Sequence, residues 1–385
     1  MDEAAAIHAG ALVIDTHADT PQRFVDEGWN FSDPLGSGML NLETARKGNL
    51  GAEFFAAWVE PNEWRGRYAH RTLQLIDGVH EQLRKHPSTM RLGLSPQDVL
   101  RAHVDKVFCV LLGIEGGHSI EADLSLLRMF YKLGVRYMTL TWSNSNEWAD
   151  SSGDQDDATV THHGGLTAFG RDVIREMNRL GMMIDVSHSA DSTFWDVLKT
   201  THAPIIASHS SARALTNVPR NLTDEQLRAI AINDGVVMVN FYPAFIDSRW
   251  NDAWAATHVQ RELLYHQAAQ DFSDRNEPVP YNSTMEIDRS FYKEHLSKTV
   301  PLAPLKSLVD HIDHVARVAG IDHVGLGSDF DGFPILPAEL TSAADLPKIT
   351  SALHERGYTA EQLHKLLGGN LLRVFGEVQS AAAKE

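Results

Sequence analysis

Leu12-Val13-Ile14-Asp15-Thr16-His17-Ala18-Asp19-Thr20-Pro21 reads as a short buried strand running into ligand-type side chains. Alternate side chains of an extended chain share a face, so the pattern predicts that Asp15, His17 and Asp19 project together at a spacing of about 6.6 Å. Buried charges need a partner or a cation, and a divalent metal meets that need here. A lone His-x-Asp is more often a hydrogen-bonded strand end than a metal site. Recurrence of the arrangement along the chain is what favours the metal.

Further apolar runs follow at 51–59, 106–114, 135–142, 182–188, 204–209, 235–242 and 323–329. Helical patterns separate them at 68–85, 96–104, 124–133, 167–180, 192–200, 224–233 and 305–319, with two more at 359–367 and 370–378. Ser95 followed by Pro96 is one N-terminal signal. Eight strands alternating with helices predict a (β/α)8 TIM-type barrel spanning 1–385 as a single domain. A doubly wound open sheet is the competing arrangement. Residues 28–38 and 143–165 read as irregular loops. Residues 243–300 break the rhythm and read as an insertion after the seventh strand, helical around 254–269.

The chain has 385 residues, 34 Lys plus Arg against 51 Asp plus Glu, and a net charge of −17. Such an acidic surface disfavours nucleic acid and anionic membranes. The single cysteine, Cys109, lies in an apolar run and reads as a buried hydrophobe, with no intrachain disulfide available. The opening Met1-Asp2-Glu3-Ala4 lacks the basic start of a signal peptide, and no apolar run is long enough to span a bilayer. A soluble chain is expected, cytoplasmic as written, or exported if a signal peptide has been removed.

A barrel demands that its chemistry sit where strands end. His17 and Asp19 end the first strand, Glu115 the third, His188 the fifth, His209 the sixth, Tyr242 the seventh and Asp329 the eighth. Each alone has a structural explanation, as a core histidine, a helix cap or a turn residue. Together they fall at one rim. Three histidines with carboxylates and no thiolate suit Zn²⁺ or a similar divalent ion. The ligand count argues for two ions per chain, and no lysine stands at a strand end to bridge them, which leaves Glu115 as the bridge. A water shared by two such ions is acidified toward hydroxide, and hydrolysis follows naturally. Asp329 is placed either as general base and acid or as a further ligand.

Several motifs, Ile14-Asp15-Thr16-His17-Ala18-Asp19, Gly113-Ile114-Glu115-Gly116, Gly134-Val135-Arg136-Tyr137-Met138-Thr139-Leu140-Thr141, Asp185-Val186-Ser187-His188, Ser208-His209-Ser210-Ser211, Asn217-Val218-Pro219-Arg220-Asn221, Met238-Val239-Asn240-Phe241-Tyr242, Gly325-Leu326-Gly327-Ser328-Asp329-Phe330-Asp331-Gly332 and Asn370-Leu371-Leu372-Arg373-Val374-Phe375, resemble those of the renal or membrane dipeptidase family, peptidase family M19 of the amidohydrolase superfamily. The resemblance runs along nearly the whole chain. It implies a binuclear zinc barrel in which His17 and Asp19 hold one ion, His188 and His209 the other, Glu115 bridges them and Asp329 shuttles the proton. It also implies that Arg220 grips the substrate carboxylate, a task suited to a planar fork of donors, and that Tyr242 lines the pocket. After Thr141 many family members carry a substrate-contacting histidine, whereas this chain has Trp142, with Asn144 or Asn146 as alternative donors. The tail 380–385 carries no hydrophobic segment, so the lipid anchor of the family's animal members is expected to be absent.

The activity expected is zinc-dependent hydrolysis of unblocked dipeptides, L-Xaa-L-Xaa or L-Xaa-D-Xaa, with a homodimer implied by the resemblance. Hydrolysis of another amide, ester or lactone by the same centre is the alternative. A non-catalytic metal-binding barrel ranks below both.

Overall fold

The computed structural model describes residues 3–275, 279–280 and 282–382. Met1 and Asp2, positions 276–278 and 281 of the 243–300 stretch, and the end of the tail at 383–385 lie outside the described residues. Nine strands share one sheet: β1 (Val13–Ala18), β2 (Leu50–Trp58), β3 (Met90–Leu92), β4 (Phe108–Glu115), β5 (Val135–Thr139), β6 (Met183–Asp185), β7 (Ile206–Ala207), β8 (Val236–Val239) and β9 (Val324–Leu326). All pairings between them are parallel.

Closure comes from β2 and β4, which pair without a break from Ala52 opposite Cys109 to Trp58 opposite Glu115. That seam joins eight strands into a barrel and removes the open doubly wound sheet as an alternative. The ninth strand, β3, was not expected from the sequence. It pairs only with the start of β4, Met90 to Phe108 through Leu92 to Val110, and occupies the side that β5 takes over from Leu112.

The two sides of each strand go to different places. Phe54, Leu111, Tyr137, Met183, Ile206, Val236 and Met238 form one apolar cluster with Leu371, Val374, Phe375 and Val378 of the last helix, Asn370–Ala382. Their neighbours Phe55, Val110, Leu112, Met138, Val237 and Val239 pack in a larger cluster with the surrounding helices. Helices stand at 68–85, 96–104, 124–132, 168–180, 191–200, 224–232 and 305–318, within a residue or so of expectation. Side-chain caps from Ser95, Thr167 and Thr223 start three of them. Glu3–Gly10, Pro21–Asp26, Leu42–Lys47 and Leu346–Glu355 are further helices that the sequence reading passed over. Cys109 is fully buried, and burial pushes its thiol up to about 12.

After β8 the chain enters the 243–300 stretch, whose described residues include helices Ser248–Ala255, His258–Asp274 and Ser283–Phe291 and where Ala244, Trp250, Trp254, Phe291 and Tyr292 form a small apolar cluster of their own. Tyr242 packs against both this cluster and the main core.

One pair of buried acids lies beside the barrel's first seam. Asp15 and Glu53 are in register between β1 and β2, and both are fully buried. Asp15 accepts from the backbone amides of Thr16 at 2.9 Å and Ser328 at 2.6 Å, and from the Ser328 hydroxyl. Glu53 shares its proton with the Asp15 carboxylate beside it. Burial, reinforced by the charge of Asp15, pushes the Glu53 carboxyl well above the usual range. The folded chain therefore keeps Glu53 protonated while the unfolded chain ionises it above pH ~4.3, so this residue costs stability as pH rises from there toward its raised folded value. Glutamine cannot ionise. Glu53→Gln should thus gain on the wild type by about 1.4 kcal/mol per pH unit across that span. Denaturant unfolding of both proteins between pH 5 and 8 measures it, and a gap independent of pH would contradict the assignment.

Candidate metal centre

The loops leaving β1 and β9 are zipped together: the amide of Asp19 donates to the Phe330 carbonyl at 2.8 Å, and that of Asp329 to the His17 carbonyl at 3.0 Å. This brings residues more than 300 positions apart to one corner of the rim. Glu115 closes β4, while His188 and His209 lie in the loops that follow β6 and β7. His188 and Asp329 have φ of 65° and 66°, a left-handed backbone that non-glycine residues rarely adopt. Such conformations persist where the surroundings over-determine them.

The five side chains expected to hold metal meet around Glu115. Its Oε1 lies 2.9 Å from His188 Nε2 and 3.3 Å from His209 Nε2, and its Oε2 lies 3.3 Å from His17 Nε2. His17 Nε2 is 3.6 Å from Asp19 Oδ2. Three overlapping groups have their ligand atoms within 4.8 Å of one another: His17, Asp19 and Glu115; Glu115, His188 and His209; His17, His209 and Asp329.

This donor set fits a pair of divalent cations. His188 Nε2 and His209 Nε2 face each other at 3.1 Å. His17 Nε2 and Asp19 Oδ1 are buried with no hydrogen-bond partner. Burial works against charge on every imidazole. It is the leading cause that brings His188 down to about 4 and His209 well below its usual value, with Arg220 and His17 adding to it. Glu115 and Asp19 overcome it only at His17, which is raised well above its ordinary value. Glu115 stays ionised in spite of burial, held low by His17 and by hydrogen bonds from the imidazoles. One protonated imidazole and the buried Arg220 guanidinium are thus left to balance the buried acids, a task that a divalent ion performs with more charge.

Residues behind the ligands orient them, and the sequence reading did not single these out. Tyr137 OH lies 2.8 Å from His17 Nδ1, and Ser208 Oγ lies 2.7 Å from His209 Nδ1. Ser208 Oγ donates in turn to Asp185 Oδ2 at 2.5 Å, which also accepts from Thr139 Oγ1 at 2.5 Å. With metal bound, Tyr137 and Ser208 are the partners that would take Nδ1–H of His17 and His209 and leave their Nε2 lone pairs to the ions. Asn240 Nδ2 donates to Asp329 Oδ2 at 2.9 Å. Gly332 leaves the space for the two acids, since a Cβ there would come within 2.3 Å of Asp19 Oδ2 and 2.4 Å of Asp329 Oδ1. Tyr137 was detectable as a polar aromatic two residues before Thr139 on a buried strand, and Asn240 as a buried amide two residues before Tyr242.

Asp15 does not join the cluster. The β1–β2 register shifts between Asp15 and Ala18, which breaks the simple alternation, and the Asp15 carboxylate is spent on Thr16 and Ser328.

Beside His188 opens a cavity of about 430 Å³, lined also by Arg220, Val218, Pro219, Phe245, Ser143 and the 152–157 loop. Arg220 donates to Ser210 Oγ and to the His209 carbonyl, each at 2.7 Å, while its Nε is buried without a partner. Burial brings its guanidinium down to about 10, against the pull of Asp329 and Glu115. Tyr242 stands one ring further back, 5.0 Å from Phe245 and 5.0 Å from Phe333. Trp142 lies 6.4 Å from the His188 ring. Asn144 turns its amide to the Ser145 carbonyl and keeps its Oδ1 buried and unpartnered, and Asn146 is consumed in its own turn. No helix among the described residues is long and apolar enough to cross a membrane.

The family model of membrane dipeptidase, peptidase family M19, matches residues 1–385. The chain is 34% identical over 353 residues to dipeptidase aclJ of Aspergillus oryzae, covering 90% of this chain and 71% of that one. It is likewise 34% identical to the uncharacterized dipeptidase C3A11.10c of Schizosaccharomyces pombe, over 94% of this chain and 80% of that one. Among solved structures it is similar to the probable dipeptidase PvdM of Pseudomonas aeruginosa, with a TM-score of 0.81, 28% identity and 98% of each chain covered. On the motif order, the closed barrel and the full-length match together, the chain belongs to the membrane dipeptidase family, peptidase family M19.

Proposed function

We propose that this chain is a zinc-dependent dipeptidase binding two ions, with 1–385 acting as one catalytic domain and 243–300 as its insertion. The observation that carries this reading is Glu115, whose two oxygens face the Nε2 atoms of three different histidines at 2.9 to 3.3 Å. His17 and Asp19 would hold one ion, His188 and His209 the other, with Glu115 between them. The metal pair, when bound, supplies an acidified water and polarises the substrate carbonyl.

The remaining steps belong to the protein's own groups. The fork of Arg220 fixes the substrate's terminal carboxylate at the cavity wall. A cavity of about 430 Å³ lies toward the small end of ligand pockets, roughly 300 to 1,000 Å³, and suits a substrate of two residues. Asp329 accepts a proton from the attacking water and returns it to the leaving amine. Asn240 occupies Oδ2 of Asp329, so Oδ1 is the atom that takes the proton up. Without metal, burial raises this carboxyl well above the usual range, with His17 opposing and Asp19 and Glu115 adding to it; cations bound beside it would act in the opposite direction and keep it ionised to accept the proton.

Purified protein should contain about two zinc ions per chain, lose dipeptide hydrolysis on dialysis against a chelator and regain it with zinc. A metal-free sample with full turnover would refute the reading, as would rapid cleavage of N-acyl amino acids or lactones with dipeptides untouched. Asp329→Asn should lower kcat by about 10² to 10⁴ while the metal content stays at the wild-type level, and an unchanged kcat would remove Asp329 from proton transfer. Arg220→Met should reduce kcat/KM for a free dipeptide by about 10- to 100-fold, the worth of one or two charge-assisted hydrogen bonds. The same variant should no longer discriminate between that dipeptide and its C-terminal amide. Retained discrimination would place the carboxylate elsewhere.

A further inference from the structure

Two indoles stand at the rim where no part of the metal cluster requires them. Trp58 is the last residue of β2 and pairs in register with Glu115. On the other side of β4, Glu115 pairs with Thr139, and Trp142 follows three residues later. The two rings come from chain segments on either side of β4 and meet each other, with centroids 5.0 Å apart and planes inclined at 58°. Both side chains are only half-buried. Trp58 Nε1 has no acceptor, so no hydrogen bond of the ring accounts for its placement. Both backbones are held, the Trp58 carbonyl accepting from Gln22 Nε2 at 2.6 Å and the Trp142 carbonyl from the Ser151 hydroxyl, and the Trp142 ring reaches to 6.4 Å from His188.

Strand order tells which part of a substrate this pair would meet. Around the barrel the order is β1, β2, β4, β5, β6, β7, β8, β9. Arg220 follows β7, Asn240 follows β8 and Asp329 follows β9, whereas Trp58 and Trp142 belong to the β2 and β5 sectors across the rim. A dipeptide whose carboxylate lies at Arg220 and whose scissile carbonyl lies over Glu115 and His188 must extend its N-terminal residue toward the opposite half. Resting on the dipeptidase reading above, we propose that Trp58 and Trp142 form the wall that receives the N-terminal side chain, and that they select dipeptides with a large apolar residue there. Partly buried indoles offer wide apolar contact from a rigid ring. Apolar contacts of this size separate substrates by roughly 10- to 200-fold.

The test compares kcat/KM for L-Leu-L-Ala and Gly-L-Ala in the zinc-loaded wild type, Trp142→Ala, Trp142→Phe and Trp58→Phe. The wild type should favour the leucyl substrate by about tenfold or more. Trp142→Ala should bring the ratio to within about threefold, chiefly through KM of the leucyl substrate, and the two phenylalanine variants, which keep an aromatic face and the fold, should fall between. A wild-type ratio near one overturns the proposal, and so does a ratio that Trp142→Ala and both phenylalanine variants leave unchanged or lower equally for both substrates. If the zinc-loaded wild type cleaves neither dipeptide, the dipeptidase reading fails as well. Cleavage of both at equal rates removes the indole wall alone.

Discussion

Everything in this molecule is arranged around one carboxylate. Both oxygens of Glu115 are shared among three imidazoles whose Nε2 atoms crowd to within 2.9 to 3.3 Å of them. Two of those nitrogens stand 3.1 Å apart, a distance at which at most one can carry a proton. Asp19 and Asp329 add further acid to the same buried space. Such a group is costly to assemble in a fold unless cations are held within it. The barrel is the device that makes the assembly repeatable, because its parallel strands all deliver their C-terminal ends to one rim.

The scaffold reaches this precision through constraints distributed along the chain. The β2–β4 seam fixes Glu115 opposite Trp58. Two backbone hydrogen bonds join the loops after β1 and β9, so that Asp19 and Asp329 face each other across the space left by Gly332. Tyr137 and the Ser208–Asp185 pair aim two of the imidazoles. Two site residues sit at left-handed φ values. A rigid set of neighbours sustains that strain, and it turns their side chains inward where an ordinary strand continuation would turn them aside.

The architecture was legible because its signals are local. Apolar runs such as 107–112 and 236–239, spaced by amphipathic helices with recognisable caps, specify a β/α alternation without long-range information. The candidate ligands were legible as a group because each falls at or just past the end of such a run, and the fold brings them together. Three features escaped for physical reasons. Met90–Leu92 is too short to declare itself and is a strand only through β4. Asp15 shares the apparent alternation of His17, yet a register shift turns it to Ser328. Asn144 looks like a donor beside Trp142 in the sequence, and the fold spends its amide on the neighbouring carbonyl. The supporting residues Tyr137, Asp185, Ser208 and Asn240 could be picked out at most as buried polar residues on or beside strands. Apart from the Ser208 contact with its neighbour His209, their roles exist only between segments distant in the chain.

The central claim is that Glu115 stands between two cations held by His17 and Asp19 on one side and His188 and His209 on the other. Anomalous diffraction at the zinc edge, from crystals of the protein grown with zinc, locates the ions directly. The account predicts two peaks about 3.5 to 4 Å apart, each beside one of these pairs, with Glu115 reaching both. A single peak, or zinc found away from Glu115, would contradict it.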